Sequence, residues 1–211
     1  PEVTIHSQTN HPAIIKLIGC SSVDFKNRNR PMIIMEYANN ASLFHILELE
    51  KEGKAIPFFN DTKKLIIVYG LASAMKYLHS INILHGDLKP GNILIDDFLF
   101  PKICDFGSSR FISEKNHCSK PFGTLPYIAP EVWSQSEYSK KVDVYSFALI
   151  VYEIFSQKAP FQDINLTKVM FHSSVLKKRP DFTKTVPKVY RELISKCWDQ
   201  DPEKRPSFEC I

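Results

Sequence analysis

Four polar side chains near the middle of the chain stand at spacings that suit phosphate chemistry. Asp87, Lys89 and Asn92 lie in "NILHGDLKPGN", residues 82–92, and Asp105 comes after "NILI", the turn sequence "DDFLF" and "PKIC". Two short apolar runs about a turn read as an antiparallel hairpin, which returns to its starting end. Asn92, before the first strand, and Asp105, after the second, should therefore offer two oxygen ligands at one place. Magnesium takes such hard oxygen ligands and commonly shares itself between a protein carboxylate and substrate phosphates. Asp87, just ahead of the hairpin, is placed to accept the proton of an attacking hydroxyl, and Lys89 to neutralise charge on a phosphoryl group in transit. Positioning and electrostatics of this kind are what phosphoryl transfer requires.

Several elements must hold these residues. Residues 2–10 read as the end of a helix, stopped by "NHP" because Pro12 disfavours helical geometry at His11. "AIIKLIGC" and "PMIIMEYA", separated by the polar "SSVDFKNRNR", have the pattern of two strands joined by a loop. Asn60 or Asp61 is a plausible N-cap for the helix "TKKLIIVYGLASAMKYLHS", in which Leu65, Tyr69, Ala72, Met75, Lys76 and His79 fall at helical spacing, with Lys63, Lys64 and Lys76 near its margins. "VYSFALIVYEIF", 144–155, is too short to cross a bilayer and reads as a buried helix. Beyond Ser134 the chain is expected to be mostly helical, punctuated by prolines, and no repeat appears.

Bulk composition sets the class. The 211 residues are 44% hydrophobic and 24% charged, ordinary for a folded domain with a sizeable core. The formal charge of +4 is spread through pairs such as Lys63-Lys64, Lys140-Lys141 and Lys177-Lys178, which read as solvated faces and not as a nucleic-acid stripe. Five cysteines, at 20, 104, 118, 197 and 210, show no metal-ligand spacing and point to reduced thiols in an intracellular, cytoplasmic setting. No transmembrane segment or signal peptide is visible, and the absence of an initiator Met suggests a piece of a longer product.

"HGDLKPGN", "DFG" at 105–107 and "APE" at 129–131 resemble, in order and spacing, the catalytic loop, metal-binding turn and activation-segment end of a protein kinase. The resemblance spans almost the whole chain. It implies an α+β, protein-kinase-like fold: residues 1–38 as the remnant of an N-lobe (end of the helix αC, two strands, hinge), and 39–211 as a mostly helical C-lobe. Lys89 in "DLKPGN" and Thr124 in "GTLPYIAPE" side with serine/threonine kinases, while "VDVYSFALIVYEI" and "CWDQDPEKRPSF" look most like the tyrosine-kinase-like group. ATP and magnesium are the implied cosubstrate and cofactor, and a protein the implied substrate.

By the same resemblance Asp87 is the catalytic base, Lys89 a phosphate contact, and Asn92 and Asp105 the metal ligands. Met35 takes the gatekeeper position, Glu36 and Ala38 present backbone groups to adenine, and Leu94 packs beneath its ring. Phe106 is a core residue that sets the orientation of Asp105, ahead of Gly107. Glu131 and Arg205 form a buried ion pair, and Asp143 holds the catalytic-loop backbone. Glu2 sits where the αC Glu pairs with a strand Lys, and neither that Lys nor a Gly-rich loop lies in the chain.

Gly86 departs from the family, standing where most kinases carry the Arg of His-Arg-Asp, a residue that pairs with a phosphorylated activation segment. Control by that route is therefore in doubt. Ser108, Ser109, Ser113 and Ser119 are possible phosphosites, with solvated loop serines the plainer reading. His85 reads as a packed, hydrogen-bonded histidine, and His6, His11, His45, His79, His117 and His172 as surface or core residues. Cys104 reads as a small buried hydrophobe before a reactive thiol. Two strands of a normally larger sheet would expose edges and an apolar face, so the piece alone is expected to be poorly soluble and weakly active. The rival function is a pseudokinase scaffold; retention of Asp87, Lys89, Asn92 and Asp105 together weighs against it.

Overall fold

The computed structural model describes the chain apart from residues 1, 55, 113–115, 118–119 and 135–136, and for residues 116 and 117 the backbone alone. Ser113, Ser119, Cys118 and the side chain of His117 thus lie outside the described residues.

Helix α1 (Glu2–His6) is shorter than the sequence pattern suggests. Its end tightens into turns in which Gln8 and Thr9 donate to Ile5 and His6, and the Thr9 hydroxyl also takes the His6 carbonyl. These local bonds replace the next helical turn before Pro12 is reached. Strands β1 (Leu17–Ser21) and β2 (Met32–Met35) pair antiparallel, Cys20 opposite Ile33. Ser42 caps α2 (Leu43–Lys51), and Asn60 caps α3 (Asp61–Ser80), its side chain accepting from the Lys63 N–H.

The buried stripe of α3 differs from the expected one. It runs through Lys64, Ile67, Val68, Leu71, Ala74, Met75 and Leu78, while Leu65 and Tyr69 are 50% and 75% exposed. Both stripes have helical spacing, and the packing of α3 into the common core selects between them. Lys64 is accommodated inside because its Nζ reaches Glu50 at 2.6 Å and lies over the Phe59 ring.

After α3 come β3 (Ile83–Leu84), β4 (Ile93–Ile95), β5 (Pro101–Ile103), β6 (Arg110–Phe111) and β7 (Asn116–His117). The remaining elements are α4 (Pro130–Trp133), β8 (Glu137–Tyr138), α5 (Lys141–Ser156), α6 (Leu166–Met170), which runs on into a wider turn over Phe171–Val175, and α7 (Lys188–Cys197). The sheets are small antiparallel pairs: β1 with β2, β3 with β6, β4 with β5, and β7 with β8.

Both edges of the β4–β5 hairpin are covered, as a buried strand pair requires. Ile95 donates to the Ala41 carbonyl and Asn40 to the Ile95 carbonyl on one side; Ile15 and Ile103 exchange bonds with Ile103 and Ala13 on the other. Helix α5 is the axis of the core. Apart from Lys141 and Ser146 its residues are buried, the pattern of a helix surrounded by protein. Among the described residues no helix is long and apolar enough to cross a membrane.

Candidate active site

The catalytic-loop backbone is fixed from below by a single buried carboxylate. Asp143, in the first turn of α5, accepts the Gly86 N–H on Oδ1 and the His85 N–H on Oδ2, both at 3.0 Å. Oδ2 also meets His79 Nε2 from α3 at 2.9 Å. Burial alone pushes the Asp143 carboxyl up, but the His79 hydrogen bond and charge and the Gly86 N–H outweigh it and hold the pKa below its ordinary value. A carboxylate so fully engaged is a rigid post for a loop that has no ladder of its own.

His85 extends the anchorage sideways. Its Nδ1 accepts the Asp87 N–H at 3.3 Å, so the proton sits on Nε2, which faces the Cys104 carbonyl at 3.1 Å. The loop is thereby tied to the end of β5. Lys89 is fully extended, and Pro90 then opens a tight turn through Asn92, closed by the Asn92 N–H on the Lys89 carbonyl. Proline is suited to that first position because its φ is preset and no donor is lost.

This backbone brings Asp87, Lys89, Asn92 and Thr124 together. Lys89 Nζ pairs with Asp87 Oδ2 at 3.0 Å and donates to the Thr124 hydroxyl at 2.6 Å. Asn92 Nδ2 donates to the Asp87 carbonyl at 2.9 Å and to Asp87 Oδ2 at 3.2 Å. Oδ2 is therefore committed twice. Asp87 Oδ1 is buried and has no hydrogen-bond partner among the described residues, which leaves it free to accept a further donor.

Asn92 and Asp105 flank the ends of the β4–β5 pair. Ile93 lies opposite Ile103, and the Cys104 N–H donates to the Asn92 carbonyl at 3.0 Å. Because the Asn92 amide nitrogen is turned to Asp87, its Oδ1 is the atom left to face a cation. Asp105 is exposed, with a left-handed backbone (φ +63°), and its Oδ1 accepts the Gly107 N–H at 3.2 Å. Such a conformation is costly for a residue with a Cβ and is held by its surroundings. The donor set of one amide oxygen and one solvent-facing carboxylate fits magnesium completed by substrate phosphates. Among the described residues no group of three or more His, Cys, Asp or Glu is arranged to hold a metal unaided.

Phe106 is fully buried between two histidines. The His6 ring stacks on it at 4.7 Å and the His85 ring lies tilted at 5.6 Å. His6 is fixed in turn by Nε2 against the Ile15 carbonyl at 2.6 Å. The sequence marks His6 as no more than an ordinary surface or core residue; nothing in its spacing announces a partner a hundred residues away. Glu2, one turn earlier in α1, reaches to 3.9 Å from where a Cβ on Gly107 would stand.

Next to the β4–β5 pair Met35 ends β2, partly exposed, and Leu94 lies half-buried on β4. The Glu36 N–H is taken by the Lys16 carbonyl at 2.9 Å, so of its backbone groups only the carbonyl can face a ligand, and its side chain accepts from Lys16 N–H and Lys102. Ala38 is buried beside them.

The segment from Thr124 to Glu131 is locked into the helical core at two points. Arg205, 1% exposed, grips Glu131 with both arms of its guanidinium, at 2.6 and 2.8 Å. Tyr127 donates to Glu153 of α5 at 2.6 Å, and Lys51 of α2 reaches the same carboxylate at 3.4 Å. Burial pushes the Glu153 carboxyl up, against the pull of Tyr127 and Lys51. This link, too, escapes the sequence, because its three members lie far apart along the chain.

One expectation about the loop needs correction. Ser109 is not a solvated loop serine: it is buried, and its hydroxyl donates to the His85 carbonyl at 3.0 Å, so it is no open phosphosite either. Ser108 is half-buried. The Cys104 thiol is pushed up to about 11, by burial first and by the Asp105 charge second, which makes it a poor nucleophile at neutral pH.

The sequence pattern described as "Protein kinase domain" matches residues 1–211. Among curated relatives, the RGS domain-containing serine/threonine-protein kinase A of Dictyostelium discoideum is 34% identical over 98% of this chain and 17% of its own length. A probable LIM domain-containing serine/threonine-protein kinase of the same organism is 34% identical over 100% of this chain and 31% of its own. The human mitogen-activated protein kinase kinase kinase 7 is 33% identical over 97% of this chain and 33% of its own. The chain thus spans a third or less of each of these relatives.

Proposed function

The chain belongs to the protein kinase family, and from that premise we propose that the protein transfers the γ-phosphoryl group of ATP to a serine or threonine hydroxyl of a protein substrate. The tyrosine-kinase-like group is the part of the family that its motifs match. The observation that carries the reading is the division of labour on Asp87: Oδ2 is held by Lys89 and Asn92, and Oδ1 is buried, without a partner among the described residues, and presented beside Gly123.

Asp87 Oδ1 would accept the proton of the attacking hydroxyl as its oxygen bonds to the γ-phosphorus and the bond to the β-phosphate oxygen breaks, releasing ADP. Lys89, held between Asp87 and Thr124, would meet the charge on the transferring group. Asn92 Oδ1 and the Asp105 carboxylate would hold magnesium, which when bound neutralises charge on the phosphates. The Glu36 carbonyl and Ala38 backbone would take adenine, with Met35 behind it and Leu94 beneath. Residues 1–38 would serve as part of an N-lobe, with Glu2 as the acidic member of an ion pair with a lysine, and 39–211 as the C-lobe. Glu131, Arg205 and Asp143 are structural in this scheme. The free thiols of Cys20, Cys104, Cys197 and Cys210 support intracellular placement.

A pseudokinase would keep the Asp143 post and the Glu131–Arg205 pair, since both serve the fold. It has no physical need for an unpaired Asp87 oxygen. The test is magnesium-dependent transfer from labelled ATP to a generic basic protein by the full-length protein, beside Asp87→Asn. A drop of about 10²- to 10⁴-fold in kcat for the variant supports the base. Equal rates for the two proteins, or no transfer by the wild type, would remove the reading.

A further inference from the structure

Gly86 is enclosed on two sides. Its φ is +80°, and a Cβ there would stand 2.9 Å from the Ser108 carbonyl oxygen and 3.6 Å from the Phe122 ring. Phe122 therefore packs over the position where a longer side chain would project. The Phe122 ring also meets Arg110, whose guanidinium lies 4.1 Å from the ring centroid. Arg110 in turn lies 5.7 Å from the Tyr138 ring and donates from Nη1 to the Tyr138 hydroxyl at 3.2 Å. The Phe122 and Tyr138 rings meet edge to face at 5.1 Å, and Tyr138 is buried. One cation thus joins the strand just after Asp105–Gly107, the residue before Gly123, and the strand that precedes α5.

The two residues after Phe122 belong to the site itself. Gly123, at φ +95°, comes so close to the catalytic loop that a Cβ would stand 3.1 Å from the Gly86 carbonyl and 3.9 Å from Asp87 Oδ1. Thr124 is the hydroxyl held by Lys89. A shift of Phe122 is therefore transmitted to Asp87 and Lys89 through two residues of backbone.

We propose that Arg110, Phe122 and Tyr138 form a clasp that positions Gly123 and Thr124 against Asp87 and Lys89, and that it does so without a phosphate group on the segment. Arg110 is a positioning residue: it touches no reacting atom and acts through Phe122. A guanidinium stacked on a partly desolvated ring is attracted by the ring quadrupole, and a hydroxyl acceptor fixes its azimuth. The inference rests on the kinase reading above.

The test uses the full-length protein. Arg110→Gln and Phe122→Leu, which keep size and remove the charge or the π face, should each lower kcat by on the order of 10- to 100-fold with KM for ATP unchanged. Phe122→Tyr should restore the rate. The double variant should fall no further than either single one, because the two residues act as one contact. Phosphatase treatment of the wild type should leave kcat unaltered. A second measurement needs no turnover: cleavage by chymotrypsin after Phe122 should be faster in Arg110→Gln at temperatures where both proteins remain folded. Additive losses, full activity of Phe122→Leu, inactivation by phosphatase or an unchanged cleavage rate would each overturn the clasp. No transfer by the wild type together with faster cleavage would overturn the kinase reading and the positioning role with it, leaving only a structural contact.

Discussion

The catalytic loop and the Asp105–Gly107 turn lie side by side at the end of the β4–β5 pair, and they are held in opposite ways. Two successive backbone N–H groups of the loop, at His85 and Gly86, end on the buried Asp143, and His85 adds bonds to Asp87 and to β5. The turn exposes Asp105 in a left-handed conformation with one 3.2 Å bond from Gly107, and what steadies it is the Phe106 ring beneath, stacked on His6. The difference is one of solvent. Buried polar groups must find partners within the chain, so the loop is determined by the fold. An exposed carboxylate has water as an alternative and can be completed by a ligand.

The strongest way to break this comparison is to remove the post. Asp143→Ala leaves the His85 and Gly86 N–H groups and the His79 ring without their shared acceptor, and should lower stability by about 3–5 kcal/mol, measured by denaturant unfolding, with transfer lost alongside. The acid behaviour carries a sign that can be checked. With its pKa lowered in the folded state, Asp143 contributes stability that is present above its unfolded value of about 3.9 and lost as pH falls through the folded value. The acid-unfolding limb below about pH 4 should flatten in Asp143→Asn.

A smaller but cleaner effect is expected at the turn. Asp105→Asn should abolish the magnesium response of transfer while changing unfolding free energy by no more than about 0.5 kcal/mol, because the side chain is exposed. Loss of stability comparable to that of Asp143→Ala would erase the distinction between the two regions. The mildest prediction concerns Cys104, which lies between them: its alkylation should be slow at neutral pH and accelerate toward its pKa of about 11.

How far the sequence discloses this arrangement depends on the range of each contact. That Asn92 and Asp105 flank one end of a strand pair is legible in two apolar runs about "DDFLF", since a hairpin is a local structure. The buried character of α5 is equally plain from the apolar residues that make up most of it, Phe147 to Val151 without a break. The face of α3 is not: Leu65 and Tyr69 have the right spacing, and only the packing of α3 against its neighbours selects Ile67, Leu71 and Leu78 instead. Nor is the place of Ser109, whose burial depends on the loop folding back over His85. The Lys51–Glu153 contact joins residues 102 apart, and His6 meets Phe106 across a similar span; no periodicity encodes such pairs. Gly86 is visible as a departure, but the ring that fills the space beside it is not.

The most direct test of the contrast is amide hydrogen exchange of His85, Gly86 and Gly107 in the full-length protein, with and without magnesium and a non-hydrolysable ATP analogue. The account predicts strong protection of His85 and Gly86 in both conditions, and protection of Gly107 that appears only with the magnesium nucleotide. Rapid exchange at His85 and Gly86 without nucleotide would contradict it, as would a Gly107 amide already as protected as theirs.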